Sequence, residues 1–348
     1  MKIVVDSKIP YMKGVAETLA DEVVYAEGHD FTPELVRDAD ALFVRTRTRC
    51  NSQLLEGSCV RFIATATIGY DHIDTEWCRQ AGITWTNAPG CNSGGVEQYV
   101  HSALLLLERC HAFTLRGSTL GVVGVGHVGS RVARVGKNLG MKVLLCDPPR
   151  AERETGTKFF KLEELAQQCD IITFHTPLTR EGAHPTFHLA NKAFFHSLSK
   201  SPFIINTSRG EVVDNEALLH ALNEKLVTDA IIDVWENEPV INRLLLEHVL
   251  VGTPHIAGYS GDGKANATRM SLEAFCRFFH LPASFNIEPP APENPIIQAT
   301  TLSDALLAIY NPMEDSQRLK AHPDAFEQLR GNYFYRREAS AYTIITQE

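Results

Sequence analysis

Short, solidly apolar runs separated by polar connections set the rhythm of the chain from its first residues. Between Lys2 and about Gly95, KIVVD, ALFVR and RFIATAT predict buried strands, and 33–38 and 74–80 predict helices between them. A turn is expected at 87–90. Asn92 or Ser93 then caps a long helix with Val96, Tyr99, Val100, Ala103, Leu104 and Leu107 at helical spacing, a stripe wide enough to be buried between two domains. From Leu115 the alternation becomes regular. TLGVVG, KVLLCD, DIITFH, FIINT, DAIIDV and VLVGTP predict six strands, with helices over 127–139, 161–168, 190–197, 214–223 and 240–246. Strands alternating with helix-length connections require a parallel, doubly wound sheet, so the fold class is α/β. Beyond Pro254, residues 264–280 predict an amphipathic helix, and the four prolines of NIEPPAPENP (286–295) mark a linker. The remainder is a compact appendage: an apolar helix over 305–310 capped by Ser303 and Asp304, a second helix near 323–330, and a β-prone end, AYTII.

The chain has 348 residues, enough for two or three domains, and its 44% hydrophobic and 22% charged residues are ordinary globular usage. No apolar run approaches the roughly 20 residues that cross a bilayer; the longest, 103–107, ends at Glu108 and Arg109. The N-terminal MKIVVDSKIPY has no signal-type apolar core, and no membrane association is expected. A net charge of −9 counts against nucleic acid as a partner, while a pocket for a small anion needs only a few local cations. The eight cysteines are scattered, with no C-x-x-C pair, which fits a reducing, cytoplasmic location and small buried thiols. No metal is expected: Pro185 lies between His184 and His188 and spoils a helical pair of ligands.

Chemistry concentrates at strand ends. Gly124, Gly126 and Gly129 follow a strand and open a helix, and Asp147 ends the next strand, which is the context a dinucleotide-binding G-x-G-x-x-G requires. Such glycines let backbone approach a pyrophosphate at a helix N-terminus, and the acid accepts from ribose hydroxyls, so NAD is the expected cofactor. Arg150 and Arg153 pull the other way, toward a 2′-phosphate. Arg209 in NTSRGEVVDN, Glu238 in DVWENEP and His255 in GTPHIAGY also stand at predicted strand ends. A histidine takes the proton of a hydroxyl, a carboxylate orients it, and a guanidinium forks onto a substrate carboxylate. In VRTRTR (44–49), an extended backbone would set Arg45, Arg47 and Arg49 on one face, as a phosphate site or as a solvated sheet edge. Tyr259 is open between a core and a substrate role, and His72 and Asp74 are expected as turn and cap residues.

Together, GVVGVGHVG, NTSRGEVVD, DVWENEP and TPHIAG resemble the D-isomer-specific 2-hydroxyacid dehydrogenases, over residues 1 to about 282. The resemblance implies a Rossmann-type nucleotide domain (95–255) inserted in a flavodoxin-like substrate domain (1–94 and 256–283). It makes Arg209, Glu238 and His255 catalytic. It places NAD against His127, Val128, Asp147, Thr176, Thr207, Ser208, Asp233 and Gly258, beside the fingerprint glycines. TATIGYDHID, CDPPRAERE, TFHTPLTREG, GTPHIAGYSGDGKA, PDAFEQLR and RREASAY resemble the members that act on a phosphorylated hydroxy acid. The substrate would then touch Thr46, Thr67 and Tyr259, with Arg45 and Arg47 on its phosphate, although a neutral residue is expected in the family at Arg47. Residues 284–348 are expected to be a small C-terminal α+β dimerisation domain: the roughly 50 residues from 296 onward seldom bury enough surface alone, and Leu306, Leu307, Ile309, Tyr333, Phe334 and Ile344 need partners. The alternatives are a dehydrogenase of another small hydroxy acid, such as glycerate or phosphoglycerate, or an NAD-sensing binding protein.

Overall fold

The apolar runs are too short to span more than one sheet layer and too continuous for a half-exposed strand, and they form parallel strands covered on both faces. In the computed structural model, which describes residues 1–347, the chain packs into two compact units. The first combines Met1–Asn92 with Ser260–Ala291. Its strands are β1 (Lys2–Asp6), β2 (Glu22–Ala26), β3 (Ala41–Val44), β4 (Phe62–Thr65) and β5 (Thr84–Thr86). They are all parallel, in the order β2-β1-β3-β4-β5. The helix Gly261–Phe279, capped by the Ser260 hydroxyl accepting from the Gly263 N–H, sets Phe275 5.3 Å from Phe43 and 6.2 Å from Phe62, centroid to centroid. Strands β2 and β5 were not expected from the sequence; both are partly exposed edges with weak apolar signals, EVVYA and TWT.

The arginine-alternating segment departs from its expected form. Strand β3 ends at Val44, and residues 46–48 turn instead of extending. The Thr48 N–H donates to the Arg45 carbonyl at 3.2 Å, and the buried Thr48 hydroxyl donates to the Gly28 carbonyl at 3.0 Å. The turn breaks the two-residue period, so Arg45, Arg47 and Arg49 do not form a strand face.

The second unit holds Ser93–Tyr259 and the chain from Pro292 onward. It contains β6 (Thr119–Val123), β7 (Lys142–Cys146), β8 (Ile171–Phe174), β9 (Phe203–Asn206), β10 (Asp229–Ile232) and β11 (Val251–Gly252), parallel in the order β11-β10-β9-β8-β6-β7. The last residues pair in one row: Cys146, Val123, Phe174, Asn206, Ile232 and Gly252. The long helix Ser93–Cys110 forms as its spacing requires and buries Tyr99, Val100, Leu104 and Leu107 in the core beneath this sheet.

The C-terminal segment packs on the same sheet unit. Strands β12 (Ile296–Ala299) and β13 (Thr343–Thr346) pair in parallel, and the helices Leu302–Ile309, Pro312–Ala321 and Phe326–Gly331 lie between them in sequence. The helix 312–321 was not foreseen, and the first helix is capped by the Thr301 hydroxyl rather than at Ser303 and Asp304. Leu307 and Tyr310 share a core with Tyr99 and Leu104, while Leu319 and Phe326 share another with Trp235, Leu245 and Leu246. Much of the apolar surface expected to need a partner chain, Leu306, Leu307 and Ile309 included, is therefore met within this chain. No helix among the described residues is long and apolar enough to cross a membrane.

Candidate active site

Every strand in the second sheet stops at the same level, so the residues that follow the row come together at one edge. After β6 comes the glycine turn. Gly124 has φ +82, a conformation L side chains rarely adopt, and a Cβ there would lie 2.7 Å from the His175 carbonyl oxygen. A Cβ on Gly129 would lie 1.9 Å from the Gly124 carbonyl oxygen, so this glycine lets the helix His127–Asn138 meet the strand. A Cβ on Gly126 would meet nothing within 4 Å. The turn thus leaves open space at exposed Gly126 and His127, with Val128 half-buried behind them at the first turn of the helix.

After β7, Asp147 accepts from the Val125 N–H at 2.8 Å and caps the short helix Pro148–Ala151. Arg150 is turned away from service to a phosphate: its Nε and Nη2 each close on Glu154 at 2.7 Å, and Nη1 donates to the Val125 carbonyl. After β8, the buried Oγ1 of Thr176 has no hydrogen-bond partner among the described residues and is free to bond a ligand. Thr207 after β9 meets His175 Nδ1 at 3.2 Å, and the Ser208 hydroxyl donates to Asn206 Oδ1 at 2.8 Å. An open glycine turn at a helix N-terminus, an acid at the next strand end and an orphaned threonine hydroxyl fit a bound dinucleotide with a free 2′-hydroxyl.

The three residues expected to be catalytic, Arg209, Glu238 and His255, stand on the same edge. Arg209 is exposed on the loop after β9, with one guanidinium nitrogen on the Ser208 carbonyl at 2.7 Å. Beyond β10, Glu238 Oε1 accepts from the Trp235 N–H at 2.9 Å, and Oε2 lies 2.8 Å from His255 Nδ1. Burial pushes the Glu238 carboxyl up, but the hydrogen bond and charge of His255, with Arg330 behind them, hold it below the usual carboxylate range. A carboxylate only accepts, so Nδ1 carries the proton and Nε2 is the basic nitrogen. His255 itself sits at φ +56. That strained conformation is fixed by Asp233, whose carbonyl accepts the His255 N–H at 2.8 Å. The Asp233 carboxylate takes the Thr253 hydroxyl and the Ile256 N–H at 2.7 Å each, and the Ala257 N–H at 3.0 Å. The next turn, through Gly258, closes with the Tyr259 N–H on the Ile256 carbonyl at 2.8 Å.

Sequence reasoning missed two arginines of the C-terminal segment. Arg336 is buried, and its guanidinium donates to the carbonyls of Ala257 (2.6 Å), Tyr259 (2.8 Å), Gly95 (3.1 Å) and Ile256 (3.2 Å). Arg330 reaches Glu238. Both lie more than 70 residues beyond their partners, so no local pattern marks them. His175 was missed as well: it is a half-buried histidine bonded to Thr173 at 2.9 Å.

In the first unit, Arg45, Thr46 and Arg47 follow β3, and Thr67 follows the neighbouring β4, again at carboxyl ends. Thr67 meets Thr65 Oγ1 at 2.7 Å and donates to the Gly69 carbonyl at 2.8 Å, while Arg45 donates to the Lys8 carbonyl at 3.2 Å. His72 bonds Thr65 at 2.9 Å and Asp74 caps the helix Thr75–Gln80, the structural places expected for both.

Residues 97–257 match the family described as D-isomer specific 2-hydroxyacid dehydrogenase, NAD binding domain, and residues 290–348 match a domain of unknown function. The chain is similar to an erythronate-4-phosphate dehydrogenase of Bacteroides thetaiotaomicron, with 61% identity over 99% of each chain. It is 44% identical to one from Porphyromonas gingivalis, over 99% of this chain and 95% of that one. Among solved structures, an NAD-bound 3-phosphoglycerate dehydrogenase of Entamoeba histolytica matches with TM-score 0.66 and 29% identity, covering 83% of this chain and 98% of that one.

Proposed function

The chain belongs to the D-isomer-specific 2-hydroxyacid dehydrogenases, and on that premise we propose that it oxidises 4-phospho-D-erythronate to 2-oxo-3-hydroxy-4-phosphobutanoate in pyridoxal 5′-phosphate biosynthesis. The observation that carries this reading is the His255–Glu238 pair, 2.8 Å apart, on the same sheet edge as the glycine turn. NAD, when bound beside the glycine turn, would supply the acceptor for the C2 hydride. His255 Nε2 takes the proton of the C2 hydroxyl as the carbonyl forms, and Glu238 stabilises the resulting imidazolium. Arg209 holds the C1 carboxylate with the guanidinium donors its single backbone bond leaves over.

The cofactor set is Gly124, Gly126, His127, Val128, Gly129, Asp147, Thr176, Thr207, Ser208, Asp233 and Gly258. Thr46, Thr67 and Tyr259 bind the substrate, with Arg45 and Arg47 on its phosphate. NADH formation over a panel of 2-hydroxy acids, with and without a 4-phosphate, tests the assignment. A wild-type kcat/KM for 4-phosphoerythronate far above that for erythronate is expected, since remote binding energy positions the reacting carbon. Equal values, or faster turnover of glycerate or 3-phosphoglycerate, would overturn it, and no turnover with measurable NAD binding would leave an NAD sensor.

The protein works in the cytoplasm as a homodimer joined through its C-terminal segment. This is supported by the large apolar side chains exposed there: Ile296, Leu302, Phe334, Tyr335 and Ile345. Light scattering on the intact chain should give about twice the 38.6 kDa of one copy. Phe334→Asp should lower that mass, and a wild-type monomer would refute the assignment.

A further inference from the structure

Resting on the dehydrogenase reading, we propose that Arg330, supplied by the C-terminal segment, is a positioning residue of the reaction: it holds the Glu238 carboxylate and the Tyr259 hydroxyl in the arrangement against which His255 works. Arg330 lies on the helix Phe326–Gly331, within the segment that matches a domain of unknown function. Its Nη1 is 3.7 Å from Glu238 Oε2, the oxygen that His255 Nδ1 uses at 2.8 Å. Glu238 Oε1 is already taken by the Trp235 N–H. Arg330 therefore acts on this carboxylate through charge, while its hydrogen bond goes to Tyr259.

The geometry around it is built. Arg336, six residues on, grips the carbonyls of Ile256, Ala257 and Tyr259, and the Tyr333 ring lies 6.1 Å from that of Tyr259. The segment that carries Arg330 is thus fastened to the loop that carries His255. The Nε of Arg330 is buried, with no hydrogen-bond partner among the described residues.

The charged and titratable groups at this spot are Glu238, His255, Asp233, Tyr259, Glu327, Arg330, Tyr333 and Arg336. Glu327, 3.9 Å from Arg330 Nη1, only partly offsets its charge, being half exposed. A fixed cation beside Glu238 favours its ionised form, the form that accepts from His255 Nδ1 and leaves Nε2 to take the proton. Removing the cation makes Glu238 easier to protonate, which moves the acid limb of the oxidation rate to higher pH.

The test uses the full-length enzyme, NAD and 4-phosphoerythronate, comparing wild type, Arg330→Met and Arg330→Lys. Arg330→Met should keep NAD affinity within about twofold, lower kcat on the order of tenfold or more, and move the acid limb of kcat up by roughly half to one pH unit. Arg330→Lys should restore the limb, because it restores the charge, but not kcat, because one ammonium does not reproduce a planar guanidinium set between Glu238 and Tyr259. Wild-type kcat and an unmoved limb in a folded Arg330→Met enzyme would overturn the proposal. If that variant does not fold, Arg330→Lys decides: a kcat equal to wild type overturns it, and a loss of about fivefold or more with an unmoved limb supports it. The wild-type control separates this result from the function itself. If wild type turns over a different 2-hydroxy acid, the substrate assignment fails, and the same three enzymes are compared on that acid with the same outcomes deciding.

Discussion

The backbone N–H of His255 meets the carbonyl of Asp233 at 2.8 Å, and this bond ties the end of one strand to the turn beyond the next that carries His255. The Asp233 carboxylate then takes up the N–H groups of Ile256 and Ala257, so the left-handed conformation of His255 is held from both sides.

Asp233→Asn is expected to loosen this turn. Both carboxylate oxygens accept, Oδ1 from Thr253 and Ile256 and Oδ2 from Ala257, so either orientation of the amide sets an NH2 against a donor. Leaving a buried donor unsatisfied costs about 1–3 kcal/mol. The melting temperature should fall and kcat should drop more than NAD affinity changes. A variant that matches wild type in both melting temperature and kcat would show that the turn stands without the carboxylate.

His255→Ala removes the proposed proton acceptor. The expected loss in kcat is on the order of 10²–10⁴-fold, with NAD binding by fluorescence titration nearly unchanged. Arg209→Lys should also be poorly tolerated, with the rise in KM for the hydroxy acid exceeding that for NAD, since a lysine cannot fork onto a carboxylate. Near-normal turnover by His255→Ala would refute the assignment.

Acid should weaken the fold through His175. Burial pushes this imidazole down to about 3 from an ordinary 6.5, with Thr173 and Thr207 on its two ring nitrogens. The unfolded chain accepts a proton there well before the folded one does. Its stabilising contribution is therefore fully present above the ordinary value and is lost as pH falls through the window from 6.5 toward 3. His72 and His101, also lowered by burial, act in the same direction. Melting temperatures between pH 7.5 and 5 should fall, and His175→Gln should make that slope shallower by about one proton. An identical slope in the variant would assign the acid lability elsewhere.

The parts of the fold legible in the sequence are those where burial on both faces leaves an unbroken apolar run. All six strands of the second sheet announce themselves in this way, and the glycines and strand-end acids follow from them. Strands β2 and β5 escaped because edges tolerate Glu22 and Thr84. The segment 45–49 was misread because alternation predicts an extended chain only where nothing competes; here the hydroxyl of Thr48 captures the Gly28 carbonyl and bends the backbone. Arg330 and Arg336 were invisible for a different reason. Their meaning depends on Glu238 and on the carbonyls after His255, which only tertiary packing brings near.

The fingerprint glycines give the sharpest separation between folding and binding. Gly129 and Gly126 are three residues apart, yet a methyl group would meet different surroundings at each. At Gly129 it would lie 1.9 Å from the backbone oxygen of Gly124, which cannot yield without moving the strand-to-helix turn. At Gly126 it would project into open space, and φ is negative there, −78. Gly129→Ala should therefore destabilise the protein, by about 1–3 kcal/mol as overpacking commonly does, and reduce soluble yield. Gly126→Ala should keep the wild-type melting temperature of the unliganded protein, or raise it slightly through the unfolded state. Its NAD affinity should fall by roughly tenfold or more, because the methyl group occupies the space into which a pyrophosphate comes close to backbone. Titrating NAD against both variants and melting each without cofactor checks the two halves separately. Undiminished NAD binding by Gly126→Ala would move the dinucleotide away from this turn, and a stable Gly129→Ala would show that the helix can retreat from its strand.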